Sequence, residues 1–292
     1  MKYMLMGVLA VCIVILINMN MTMNKREPFR DTSKKIGLCF LIYNKINHEE
    51  LWYNWLKNVD KSKYTIYIHY KENKPLKYFE QYKLENCIET CWGCLSVVQA
   101  QNLMLTQALK DPQNKHFIWL SDSCIPIKSF NHVYDFLDDT KSYFNIAPDS
   151  QVFPRATSVL KFIEKDNIKK ANMASILNRK HANILAQNET NINKWFQNIN
   201  NVDEIVYITL LYHNGLKEEL ELTPNIAAGA IIVAQWSDMA NYKIFEKSIK
   251  LNDYTYKYIC PEELTYLIRS ESLFCRKFLE NCGGLDRLLD QL

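Results

Sequence analysis

The residues best suited to chemistry lie in a few short stretches. In Phe117 to Ile127, FIWLSDSCIPI, an apolar run breaks abruptly into Ser121, Asp122, Ser123 and Cys124 before Pro126. This reads as a buried strand that delivers polar groups at its C-terminal end, where open α/β sheets place their ligand sites. A carboxylate such as Asp122 can there accept two hydrogen bonds from neighbouring hydroxyls. Further on stand the adjacent carboxylates Asp203 and Glu204, and the basic pair Arg276 and Lys277 that follows an apolar run. Taken alone, the first pair fits a solvated helix cap and the second fits surface charge.

Metal chemistry finds little support. Asp122 is followed by Ser123 and Cys124 rather than by a second carboxylate, and Asp135, Asp138 and Asp139 fall on or after an expected helix. Cys91 and Cys94 form a C-x-x-C across Trp92 and Gly93, but no second pair of ligands follows at zinc spacing. The cysteines are therefore expected to be buried or disulfide-linked.

Apolar periodicity supplies the elements that must position these groups. Ile36 to Tyr43 (IGLCFLIY) is a continuous apolar run of strand length, and Tyr64 to Tyr70 (YTIYIHY) alternates β-branched and aromatic residues. Helical spacing appears over His48 to Leu56 and again over Ser96 to Leu109, where Asp111-Pro112 stops it. The strand at Phe117 comes next, then a helix from about Asn131 to Leu137. Strands alternating with helices at these spacings predict a parallel α/β sheet with right-handed crossovers. The second half is less regular, with helices expected over Asn178 to Gln187, Asp203 to Tyr212 and Pro261 to Ile268, and strands at Glu219 to Leu222 and Ala230 to Ala234. No linker separates it as a second domain.

At 292 residues, 48% apolar and 23% charged, the chain has a globular composition. Its 35 basic and 32 acidic residues leave a charge of +3, too balanced to imply a nucleic-acid surface, which points to small-molecule or glycan partners. Residues 4–20 are almost uninterruptedly apolar, long enough for one membrane-spanning helix, and no small-residue cleavage pattern follows. We therefore expect an uncleaved signal anchor over residues 1–22, a short polar stem over 23–35 and one globular domain over 36–292. Lys25, Arg26, Arg30, Lys34 and Lys35 against Lys2 would keep that domain in the cytosol by the positive-inside rule.

Several stretches together resemble the core-2/I-branching β-1,6-N-acetylglucosaminyltransferases with their xylosyltransferase and plant-type relatives. They are LCFLIYN (Leu38 to Asn44), WG-x-x-S-V (Trp92 to Val97), WLSDSCIPI (Trp119 to Ile127), LNRKHA (Leu177 to Ala182), DEIVYIT (Asp203 to Thr209) and LFCRKF (Leu273 to Phe278), in the family's order. The resemblance implies a GT-A-type, Rossmann-like α/β fold with a mixed, mainly parallel sheet flanked by helices. It implies a UDP-sugar donor, N-acetylglucosamine foremost, inverting transfer onto a glycan hydroxyl, and no divalent metal or other cofactor. It also implies a type II Golgi or ER membrane protein with a lumenal catalytic domain, against the charge count. The sequon Asn188-Glu189-Thr190 would then be open to modification.

Inverting transfer needs a base for the acceptor proton and positive charge for the departing diphosphate. The resemblance assigns the base to Glu204, expected at a helix start, and the diphosphate to Lys277 with Arg276 beside it. A second basic group of the family lies in a stretch that is shortened here, and Lys257 or Arg269 is put forward for it. Asp122, with Ser121, Trp92 and Asp203, is expected on the sugar and acceptor side. Tyr70 stands where relatives bind the nucleoside through an acidic group, and it could stack on uracil instead. Arg179 and His181 match family positions and are expected to be structural. Two alternatives stay open: a xylosyl- or glucuronosyltransferase of the same family, and an inactive, membrane-tethered glycan-binding protein. The shortened segment before Leu273 and the missing acidic group at Tyr70 favour the latter.

Overall fold

The computed structural model describes residues 34–224, 231–234, 247–252 and 255–292. The expected anchor over residues 4–20 and nearly all of the stem lie outside the described residues. No helix among the described residues is long and apolar enough to cross a membrane.

The chain begins with β1 (Lys35–Ile42), α1 (Glu49–Leu56), β2 (Tyr64–Tyr70), α2 (Leu95–Ala108) and β3 (Asn114–Ser121). There follow β4 (Ile125–Pro126), α3 (Phe130–Phe136), β5 (Ser142–Ile146), β6 (Ile176–Asn178), α4 (Arg179–Gln187), α5 (Glu189–Trp195) and α6 (Val206–His213). The last third carries β7 (Leu220–Pro224), β8 (Ile232–Ala234), β9 (Ile249–Asn252), β10 (Thr255–Tyr258), α7 (Pro261–Arg269), β11 (Phe274–Arg276) and β12 (Phe278–Gly283).

Because β1 is apolar at successive positions rather than alternate ones, it needs cover on both faces, and it lies inside the main sheet. The order is β2-β1-β3-β6-β5-β7. β2, β1 and β3 run parallel, with Leu38 opposite Ile66 and Ile118, while β6 runs against both β3 and β5. The sheet is therefore mixed, as the family resemblance implies, whereas the apolar pattern alone suggested a parallel one because β6 is only three residues long. Cys39, Phe117, Trp119 and Leu177 face one core with α2, α4 and α6, whereas Leu38, Phe40, Ile118 and Leu120 face another with α1 and α3. That split is the two-residue period of a strand read off the side chains. Cys91 and Cys94 form a disulfide, and Cys39, Cys124, Cys260, Cys275 and Cys282 are buried thiols.

One expected element differs in a way that matters. Asp203 and Glu204 do not open a long α-helix but sit in a separate 3-10 turn, Val202–Glu204, with α6 starting only at Val206. Asn201 holds a left-handed φ of 53°, and the turn is closed by Glu204 N–H donating to Asn201 O at 3.1 Å.

β11 joins the second core to the small sheet β4-β11-β8. Its Phe274 is fully buried, with its ring 5.9 Å from Trp52 and 6.1 Å from Trp55. Phe274→Ala is expected to destabilise the fold by about 3–5 kcal/mol in urea unfolding, and a loss below about 1 kcal/mol would contradict this packing.

Candidate active site

The site forms where β3 runs out of apolar residues. Cys124 N–H donates to Ser121 O at 3.3 Å, turning the chain, and Ile125–Pro126 then pairs antiparallel with β11, Cys275 opposite Ile125 and Phe274 opposite Pro126. Phe278 N–H donates to Ser123 O at 3.0 Å and extends the junction past Lys277. This ladder carries Arg276 and Lys277 to the Asp122 turn from the far end of the chain.

Electrostatics shows how closely these groups are coupled. Burial pushes the Asp122 carboxyl up, opposed by the Tyr43 backbone N–H, by the charges of Arg276 and Lys277, and by the Ser123 hydroxyl. Burial pushes the Lys277 ammonium down and Arg276 adds to the effect, while Asp122 and Glu204 oppose it. Arg276 Nε is buried with no hydrogen-bond partner among the described residues. An unmet guanidinium donor beside a lysine suits an anionic group.

The Val202–Glu204 turn brings the remaining carboxylates. Ala171 N–H donates to Glu204 O at 2.7 Å, which sets Lys170 beside the Glu204 side chain. Lys170 Nζ lies 3.3 Å and Arg155 Nη1 3.7 Å from the same oxygen, Glu204 Oε2. Lys170 is buried and also donates to Gln151 Oε1 at 3.2 Å. Burial, then the neighbouring Glu204 charge, raise Asp203 from 3.8 to about 6, against the pull of Arg276 and Lys170. Asp122, Asp203, Glu204, Arg276 and Lys277 are thus neighbours in the fold. Lys170 and Arg155 join them at Glu204.

The other expected residues are placed in different ways. Lys257 and Arg269 are exposed, on β10 and at the end of α7, and neither makes an ion pair with these carboxylates among the described residues. Ser121 is buried inside its turn, its hydroxyl 3.2 Å from Ser123 Oγ and 3.3 Å from Cys124 Sγ. Trp92 is not a core residue: it is 87% exposed, on the disulfide-closed loop before α2. Tyr70 ends β2 with Lys83 Nζ 5.3 Å from its ring centre. Arg179 is structural, donating to the carbonyls of Leu109, Asp111 and Asn114, and His181 lies between Ser142 and Glu219. No group of three His, Cys, Asp or Glu residues is arranged to hold a metal among the described residues.

Lys170 and Arg155 left no mark in the sequence, because neither lies in an apolar period or a spaced motif. The backbone bond from Ala171 to Glu204 and the ion pair itself make Lys170 a partner of the turn.

The raised Asp203 gives a stability test. Unfolded, this carboxyl loses its proton near 3.8, whereas folded it holds it to about 6, so ionisation disfavours the fold as pH rises through that window. Asp203→Asn removes the cost, so its stability relative to the parent should improve by about 1–2 kcal/mol between pH about 4 and about 7, after allowance for partial exposure. Parallel pH profiles for variant and parent would contradict the assignment.

Residues 36–265 match the family described as Core-2/I-Branching enzyme. A relative, "Glycosyltransferase BC10" of Oryza sativa subsp. japonica, is 24% identical over 173 residues, which are 56% of this chain and 43% of that protein. The match thus spans less than half the length of this relative. Among solved structures, a galactosyltransferase LgtC in complex with donor and acceptor sugar analogues aligns over 64% of this chain and 72% of its own, at 7% identity and a TM-score of 0.40. The WbbM bifunctional glycosyltransferase aligns over 91% and 50%, at 10% identity and a TM-score of 0.43. With the family match covering most of its length, the chain belongs to the core-2/I-branching enzyme family, a family of glycosyltransferases.

Proposed function

We propose that the chain is an inverting glycosyltransferase of GT-A type that moves a sugar, N-acetylglucosamine in the first instance, from a UDP-sugar to a glycan hydroxyl without a divalent metal. The observation that carries this reading is the meeting of Glu204 with Arg276 and Lys277, delivered by separate elements to one half-buried cluster. The acceptor hydroxyl gives its proton to Glu204 while its oxygen bonds to the anomeric carbon. The bond from that carbon to the diphosphate breaks, and UDP leaves with the electron pair. Lys170 and Arg155 lie nearest Oε2 of this carboxylate and hold it in place. Arg276 and Lys277 neutralise the departing diphosphate, the role a metal would otherwise fill. Asp122 and Asp203 accept hydrogen bonds from sugar hydroxyls, Trp92 offers a stacking face on the acceptor side, and Tyr70 stacks on the nucleobase.

The same proposal includes the membrane anchor through residues 4–20 and a lumenal catalytic domain. The Cys91–Cys94 disulfide supports that orientation, since such bonds persist in oxidising compartments.

A panel of UDP-sugars assayed for UDP release is the first test, and release from none of them would overturn the proposal. With the true donor, Glu204→Gln should lower kcat by about 10²–10⁴ with UDP affinity near the parent's, and equal turnover would remove Glu204 as the base. Lys277→Ala should weaken UDP binding about ten- to a hundredfold, and unchanged affinity would remove Lys277 from the site. Turnover should survive a chelator, and a loss restored by manganese would contradict the metal-free mechanism.

A further inference from the structure

The turn that carries Glu204 is held by a second feature, through backbone contacts rather than through the substrate. The disulfide between Cys91 and Cys94 closes a small ring over Trp92 and Gly93 at the N-terminus of α2, and Cys91 N–H is fixed by Ser96 Oγ at 3.1 Å. Gly93, at φ +71°, presents its carbonyl to Asn201 N–H at 2.8 Å. Ring and turn are in direct contact here: a Cβ on Gly93 would stand 2.5 Å from Asn201 Oδ1. Asn201 in turn holds a left-handed backbone and accepts the Glu204 N–H. Asn tolerates the left-handed region better than other non-glycine residues. The ring's hydrogen bond fixes the Asn201 N–H there.

We infer that the Cys91–Cys94 ring is a positioning element for Glu204, so that opening the disulfide displaces the base and slows sugar transfer. This rests on the reading of Glu204 as the base. Cys91 and the 87% exposed Trp92 place the ring where a reductant can reach it. A dithiol opens it by attack of one thiolate on a ring sulfur. The S–S bond breaks to a mixed disulfide, and the second thiol then displaces it, leaving two cysteine thiols and a cyclic disulfide of the reductant. Two electrons and two protons pass from dithiol to protein.

The test compares the full chain before and after treatment with dithiothreitol, with ring opening verified by alkylation and mass. Reduction should lower kcat about ten- to a hundredfold, the cost of a small misplacement of a catalytic group, with UDP affinity changed less than about twofold. Hydrogen exchange at the Asn201 and Glu204 amides should accelerate, while amides in the centre of β3 keep their protection. Oxidised Gly93→Ala should show the same kcat loss and the same local exchange. Cys91→Ser/Cys94→Ser should match the reduced parent and ignore the reductant. An opened ring with unchanged kcat and unchanged exchange would overturn the inference, as would an equal further loss in the double variant under dithiothreitol. If the oxidised parent releases no UDP from any donor, the transferase reading fails, and amide exchange alone still decides whether the ring holds the turn.

Discussion

The register between β4 and β11 is the constraint on which the site depends. With Cys275 opposite Ile125 and Phe278 N–H on Ser123 O, the residues between them on the two strands have no freedom to drift apart. Asp122 stands on one side of that junction and Arg276 and Lys277 on the other. A slip of one residue would turn every side chain of β11 to its opposite face and take Phe274 out of the core it now fills. The stacking of Phe274 on Trp52 resists this slip and so protects the charge arrangement as well as the fold.

Charge balance follows from that geometry. Arg155, Lys170, Arg276 and Lys277 meet Asp122, Asp203 and Glu204, and Asp203 keeps its proton up to about 6. The cluster is therefore short of negative charge by one to two units when empty. Half-buried cations in excess are costly to maintain, and a dianionic diphosphate would relieve that cost on binding. Glu204 is anchored through Lys170, on a different element from Arg276 and Lys277.

The sequence exposed the elements whose apolar pattern is long. β1, β2 and β3 and the helices after them fall within a few residues of the expected bounds, because eight or so consecutive apolar or alternating positions leave little choice. The short strands β4, β6 and β11 carry no such pattern, yet they decide the sheet's mixed character and the site's assembly. Glu204 and Lys277 were singled out through motif resemblance, whereas Asp122 also stood out at the end of an apolar run. Lys170 and Arg155 were not legible at all. Their role depends on a backbone contact between Ala171 and Glu204, which lies far outside any local window. Asp203 and Glu204 were expected to open the helix that runs to Tyr212, because the apolar run from Val206 to Leu211 follows them closely.

The most direct measurement of the central claim is a crystal structure of the full chain with UDP bound. Diphosphate oxygens are expected within hydrogen-bond distance of Arg276 Nε and Lys277 Nζ, with Glu204 still paired to Lys170. A diphosphate seated on Lys170 and Arg155, with Arg276 Nε left unpartnered, would contradict that claim.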